Sequence, residues 1–424
     1  MQQCYIVRQS YTYGENGDRI NPGRVWDFVE NIEDTSFDFG IMPRQQFIEK
    51  TIRIRLEAAG VKLHSPCKCV NIEKTDEPDA DGYYITATLR DMTTREEYTV
   101  KSAYLMGADG GRSFVRRHLG VEFEGNTTQD KWIRVDGRVI TNLPTPRNYG
   151  SIQSANHGNV LWEPLDHGAT RIGFVFTEEQ ERRCNGNLTE EELNTGIHDA
   201  VNIGWKLALV VKGKAKPTLL ETYSIERRAA AQGLIAFDRK FSTLMPNKWP
   251  EDMHKVSYED INAALADLFD EAQGYNTGLK IAYEPNLVNV VPAKDYTSIC
   301  VGARAPDAGL FKPGLTAVST TLNSAGHFRS FFSDTAKLDT IVSADPKLSA
   351  EEGLGVPAFG TVYMDDKRQA HSRYGVNLRY GSLVLRLDGH LWFAAELSVA
   401  GLEAVKMYLG KFIISKMGIQ QKTY

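Results

Sequence analysis

The sequence predicts an α/β chain of two or three domains, on three observations. At 424 residues the chain is too long for one ordinary core. Segments that alternate apolar and polar residues, the mark of strands, are interleaved with segments of helical period. And the run Gly107-Ala-Asp-Gly-Gly-Arg-Ser113 stands between a strand-like and a helix-like segment, where glycine lets backbone turn sharply and approach a ligand closely.

Residues 1–40 alternate in the β manner at Cys4 to Val7 and Tyr11 to Tyr13, with breaks at Gly14–Gly17 and Asn21–Gly23. A helix follows Met42-Pro43. Its Ile48, Ile52, Leu56 and Ala59 share one face, and Gly60 is placed to stop it. Val61 to Ile72, Tyr83 to Leu89 and Tyr98 to Met106 read as a β-meander leading into the glycine run, with Tyr104 to Met106 as a short buried strand. Asp109 puts a carboxylate in the turn, and the helix after it aims free N–H groups back at that turn. By spacing alone, the run reads equally well as a plain turn.

Ile133 to Ile140, Ile152 to Ala155, Asn159 to Trp162 and Arg171 to Thr177 read as strands of a second sheet. Trp162, Glu163, Asp166, His167 and Arg171 gather near it, which a solvent-facing turn at Asp166-His-Gly168 explains. The helix after Asn194 is apolar at Val201, Ile203, Trp205, Leu207, Val210 and Val211; it is expected to be buried and to end at Gly213. A long helix spans Leu219 to Phe241, Pro246 to Pro250 breaks it, and Ser257-Tyr-Glu-Asp260 caps another. Thr340 to Ala344, Ser382 to Leu387 and Leu391 to Ala395 are strands, the last two a hairpin through Asp388-Gly389, and Leu402 to Phe412 is a terminal helix.

Composition narrows the function. Hydrophobic content of 42% and charged content of 24% are ordinary for a globular protein. A net charge of −5, with no basic stripe carrying interleaved aromatics, argues against nucleic-acid binding. No apolar run reaches membrane-spanning length and the first residues hold no apolar signal core, so a cytoplasmic location is expected with no membrane partner. The five cysteines, Cys4, Cys67, Cys69, Cys184 and Cys300, suit reduced thiols. Cys67-Lys-Cys69 has no second pair or histidine cluster beside it, which argues against zinc.

Gly107-Ala-Asp-Gly-Gly-Arg-Ser-x-Val-Arg-Arg-x-Leu-Gly120 resembles the second flavin fingerprint of FAD-dependent aromatic hydroxylases, and within them phenol 2-monooxygenases. Asn194-Thr-Gly-Ile-His-Asp-Ala-Val-Asn-Ile-Gly-Trp-Lys-Leu-Ala208 resembles the helix start that lies against the isoalloxazine ring in that family. Leu220-Glu-Thr-Tyr-Ser-Ile-Glu-Arg-Arg228 through Phe237-Asp-Arg-Lys-Phe241 is a third match, and Gln45 and Glu49 fit the family's Gln-x-x-x-Glu segment.

The resemblance implies an α/β fold: a truncated FAD-binding domain interleaved with a mixed-sheet substrate domain over 1–245, a helical linker over 246–295, and a thioredoxin-like domain over 296–424 that folds alone and supports a homodimer. It also implies NADPH-dependent hydroxylation of a small phenolic or polyketide-like aromatic. Asp109 and Gly110 would hold sugar or pyrophosphate groups of FAD, Gln45 the ribityl chain, and the amides near Asn194 and Thr195 the flavin's pyrimidine edge.

Departures from the pattern keep other readings open. The chain has no Gly-x-Gly-x-x-Gly, and Thr189-Glu-Glu-Glu-Leu193 runs straight into Asn194 where the family has a Gly-Asp stretch. Leu165 and Gly173 stand where the family carries a catalytic Arg and Tyr, so no catalytic residue is assigned. A flavin-deficient binding or dimerising module, an incomplete gene product, and an enzyme that borrows its nucleotide-binding half from another chain are the alternatives. The helix after Asn194 is expected to pack on the helix after Gly111, with Glu190 to Glu192 solvated at its rim.

Overall fold

The computed structural model describes residues 4–23, 39–122, 131–154, 158–176, 196–250, 261–292, 296–308, 310, 339–342, 349, 361–365, 368–376, 381–396 and 398–414. Its contacts divide it into two units. The first is built chiefly from 43–131 with Leu165–His167, and the second from 5–42, 132–164 and 168–424.

The first unit holds α1 (Gln45–Ala58) and an antiparallel sheet of β5 (Cys67–Lys74), β6 (Ile85–Asp91) and β7 (Glu97–Ser102). This is the expected meander, and it delivers the chain to the glycine turn and the short α2 (Phe114–His118). Gly60, at φ +76°, ends α1 as the sequence indicates. Tyr104 to Met106 correct the expectation: they form no strand, and Tyr104 and Met106 are exposed. The β6–β7 ladder ends at the pair Ile85–Ser102, so Tyr104 to Met106 lie beyond it. The Ile52 stripe of α1 also lies at the surface, and no residue of that helix is buried.

In the second unit, β1 (Tyr5–Val7) pairs with β4 (Gly40–Met42). The main sheet takes β2 (Ser10–Tyr13), β3 (Arg19–Gly23), β8 (Lys131–Gly137), β9 (Tyr149–Ser154), β10 (Gly158–Pro164) and β11 (Thr170–Phe176) in the order β3-β2-β9-β10-β11-β8. β2 runs parallel to β9 while β10 is antiparallel to both of its neighbours, so the sheet is mixed. Below one end of it lie the long α4 (Thr218–Leu244) and α5 (Ile261–Asn276), joined to Trp132, Leu161 and Val175 by Phe237, Phe241 and Phe269. The Phe241 ring stacks on Trp132 at 5.7 Å and meets Phe269 edge-on at 5.3 Å.

α3 (Gly196–Val211) turns only part of itself inward. Asn202, Trp205, Lys206, Leu209 and Val210, spaced three and four apart, are buried, whereas Val201 and Val211 are exposed. Its cover comes from within its own unit: Leu219, Val288, Trp392, Tyr408 and Phe412. Those last three belong to the hairpin of β14 (Gly381–Leu385) and β15 (Leu391–Glu396) and to α7 (Val399–Leu409) with its following turn. Residues on both sides of position 296 therefore share one hydrophobic core. Between them, β12 (Asp339–Val342) and β13 (Thr361–Met364) pair in parallel and α6 (Gln369–Arg373) follows. The segment Thr189–Leu193 and the Ser257 cap lie outside the described residues.

Candidate flavin and substrate sites

The glycine turn is built around the carboxylate of Asp109. Its Oδ1 accepts from Ser113 Oγ at 2.5 Å, and its Oδ2 accepts from the backbone N–H of Phe114 at 2.6 Å and of Val115 at 3.2 Å. The Ser113 hydroxyl and those amides hold the carboxyl below its ordinary range, so it is an anion at neutral pH. Ser113 is the N-cap of α2 and accepts from Arg116 N. Gly107 is required by packing, since a Cβ there would stand 2.7 Å from Val115 Cβ. Gly110 is required by conformation, at φ +76°, and a Cβ on it would meet nothing within 4 Å.

These residues fit a polyhydroxylated or phosphorylated group on a physical count. Three donors fix the Asp109 carboxylate, a fourth acceptor direction is left, and the backbone at Gly110 is open. Gln45 lies in the first turn of α1, exposed, with Nε2 donating to Glu49 Oε1 at 2.9 Å. Among the described residues no hydrogen bond links Gln45 to Asp109. Asn194 and Thr195 lie outside the described residues.

Asp166 departs from the expected solvent-facing turn. The turn itself forms, with His167 at φ +52° and Gly168 at φ +74°, and His167 is exposed. But Asp166 is buried, clasped by Arg44 through Nε at 2.8 Å and Nη2 at 2.7 Å. Arg44, just ahead of α1, holds that carboxyl below its usual range. Cys67 and Cys69 are free thiols, and no group of three metal-binding side chains occurs among the described residues.

The second unit contains a network that sequence reasoning missed. Glu226 on α4 is fully buried and receives Arg386 Nη1 at 2.7 Å and Nη2 at 2.9 Å, Lys206 Nζ at 2.8 Å, Asn202 Nδ2 at 2.8 Å and Asn289 Nδ2 at 3.0 Å. Arg386 also donates to both oxygens of Asp388, which accepts from Trp205 Nε1. Two cations and two carboxylates sum to zero charge, and each has hydrogen-bonded partners, as buried ions require. Burial works to raise the Glu226 carboxyl, but the Arg386 and Lys206 charges overcome it and hold it at about 2. Burial pulls Lys206 down to about 8. The signal was available: Lys206 and Arg386 are single charges inside otherwise apolar segments.

The family model described as "FAD binding domain" matches residues 19–193 and 191–238, just over half of the chain. The chain belongs to this FAD-binding family. Among curated relatives, it is 27% identical over 360 residues to phenol 2-monooxygenase fsqG of Aspergillus fumigatus, covering 68% of this chain and 58% of that protein. It is 32% identical over 190 residues to 3-(3-hydroxy-phenyl)propionate/3-hydroxycinnamic acid hydroxylase 1 of Burkholderia vietnamiensis, covering 32% of this chain and 30% of that protein. The chain thus spans less than two thirds of either relative's length.

Solved structures of similar fold include the flavin-dependent monooxygenase PieE in complex with FAD and substrate, at a TM-score of 0.62 and 16% identity, covering 96% of this chain and 87% of that one. OxyS anhydrotetracycline hydroxylase from Streptomyces rimosus follows at 0.61 and 19%, covering 90% and 82%. The mixed α/β fold of the FAD-binding family member is shared with both. No helix among its described residues is long and apolar enough to cross a membrane.

Proposed function

We propose that this chain carries flavin- and substrate-facing parts of an FAD-dependent, NAD(P)H-using monooxygenase that hydroxylates a small phenolic or polyketide-like aromatic. The supporting observation is the family match, which runs through Gln45 and the Asp109 turn and reaches past α3. In this reading Asp109 and Gly110 take hydroxyl or phosphate oxygens of FAD, Gln45 its ribityl chain, and the amides at Asn194 and Thr195 the pyrimidine edge. The flavin supplies the redox chemistry and NADPH the electrons. The protein's share is to position the ring and exclude water. The reading includes a cytoplasmic homodimer whose C-terminal part, from about Tyr296, is thioredoxin-like.

FAD titration tests it. With no Gly-x-Gly-x-x-Gly in the sequence to seat the ADP half, the protein is expected to desalt colourless and to bind added FAD with saturable quenching of flavin fluorescence. NADPH oxidation that rises with an added phenol, with a hydroxylated product by mass spectrometry, completes the test. No saturation at any FAD concentration would sink the reading. Asp109→Ala should weaken FAD binding about tenfold, because the hydroxyls it accepts from lose a charged partner worth about 1–3 kcal/mol. Cys69→Ala should leave that affinity unchanged.

A further inference from the structure

Five consecutive residues of β7, Glu97 to Lys101, are exposed although they lie in a strand. β7 ends the β5-β6-β7 sheet, and among the described residues it pairs only with β6. Such an edge presents a row of unpaired N–H and C=O groups, a template for one more strand.

The ladder fixes which groups face that edge. At the turn, the Asp91 N–H donates to the Glu96 carbonyl at 3.0 Å, so these two form a hydrogen-bonded pair. In an antiparallel ladder such pairs alternate with pairs whose backbone groups point away. Tyr98, opposite Leu89, and Val100, opposite Ala87, therefore turn their backbone groups to β6. Glu97, Thr99 and Lys101 turn theirs outward. The side chains of those three share one face of the strand, and those of Tyr98 and Val100 the other.

This edge is complementary to itself. Laid antiparallel on a second copy about Thr99, β7 sets Glu97 opposite Lys101, Thr99 opposite Thr99, and Tyr98 opposite Val100. Opposite charges, and an aromatic ring against a β-branched residue, are the cross-strand pairs that stabilise a sheet. Sliding the copy by two residues in either direction sets a charge against Thr99 instead and shortens the ladder. A lysine on an edge ordinarily repels further pairing. Here Glu97, four residues before Lys101, turns that guard into a match. Both charges have capacity left. The two bonds from Arg90 fall on Glu97 Oε1, and Lys101 gives one N–H to Asp79 at 2.9 Å.

We propose that β7 is a homotypic docking edge, on which two copies of this chain pair antiparallel about Thr99 and join their sheets into one. The contact lies in the first unit, apart from the C-terminal part to which the resemblance assigns a homodimer. A ladder this short buries less than the about 1,200 Å² of a stable complex, so the pairing is reversible, with a Kd of about 10–100 µM.

Residue-resolved hydrogen exchange on the full chain at about 5 µM and about 500 µM tests this without any substitution. The amides of Glu97, Thr99 and Lys101 should exchange at least about threefold more slowly at the higher concentration. Those of Tyr98 and Val100, bonded to β6, should stay protected at both. Equilibrium sedimentation then follows the association itself. Glu97→Lys and Lys101→Glu each set like charges at both ends of the ladder and should weaken it at least about tenfold. An equimolar mixture of these two variants makes every pair opposite again, and should associate within about threefold of the wild type. Thr99→Pro removes an N–H that faces the edge and not β6, so it should keep the melting temperature and abolish the pairing. A C-terminal dimer adds mass that none of these changes moves. Exchange at Glu97, Thr99 and Lys101 that ignores concentration, charge variants that associate like the wild type, or a mixture that stays apart would each overturn the proposal.

Discussion

Replacing Arg386 with leucine should destabilise the second unit by about 3–5 kcal/mol, the range for removing one partner of a buried ion pair. The leucine leaves Glu226 with Lys206 as its only cation and strands Asp388 beside Trp205, both carboxylates out of water. Urea unfolding followed by tryptophan fluorescence measures the loss. A combined Lys206→Met, Glu226→Leu, Arg386→Leu, Asp388→Asn variant should lose less than Arg386→Leu alone, since no unpaired ion remains. If the single variant unfolds at the wild-type urea concentration, the network carries no net stability. The same network sets an acid limit. Glu226 titrates at about 2 in the folded chain against 4.5 for an ordinary glutamate, so the unfolded state takes up the proton first as pH falls. Its contribution is complete above about pH 4.5 and is lost as pH drops towards about 2.

Ending the chain at Asp295 should do more than any point substitution. It removes Trp392, Tyr408 and Phe412 from Trp205, Leu209 and Val210 and takes Arg386 from Glu226 in one step. Each large aromatic lost from a core costs about 3–5 kcal/mol, and a typical domain holds only about 5–15 kcal/mol in all. The expected result is an aggregating fragment with red-shifted Trp205 emission and no cooperative melt. The complementary 296–424 fragment should fail likewise, because Arg386 and Trp392 would face water on the side that α3 and α4 now cover. A soluble 1–295 chain with a sharp thermal transition would show that the two parts fold separately.

Much of this was legible beforehand, for identifiable reasons. The meander, the Asp109 turn, the stop at Gly60 and the Asp388-Gly389 hairpin rest on period-two alternation and glycine stereochemistry, which are local. Tyr104 to Met106 failed because an apolar triplet becomes a buried strand only where a neighbour offers a free edge. The inward turn of Asn202 and Lys206 was hidden because their partners Glu226, Asn289 and Arg386 come from distant chain positions, Arg386 lying 160 residues from Glu226. Asp166 was misplaced for the same reason, since Arg44 lies 122 residues before it. Of the residues proposed to contact flavin, Asp109 and Gly110 share one hydrogen-bonded turn, and Gln45 is exposed at a helix start.

The parallel pairing of β2 with β9 has a consequence for synthesis on the ribosome. Tyr13, among the most buried side chains of the finished chain, hydrogen-bonds Thr145, which is made 132 residues later. At about 5–20 residues per second, the nascent β2 edge must wait on the order of ten seconds for its partner, while the whole of 43–131 is translated between them. During that interval the Tyr-Thr-Tyr strand can pair on one side only, with β3, and its other edge is exposed. Translation speed across 43–131, and the chaperones that meet the chain there, should therefore govern yield more strongly than the stability of the folded product.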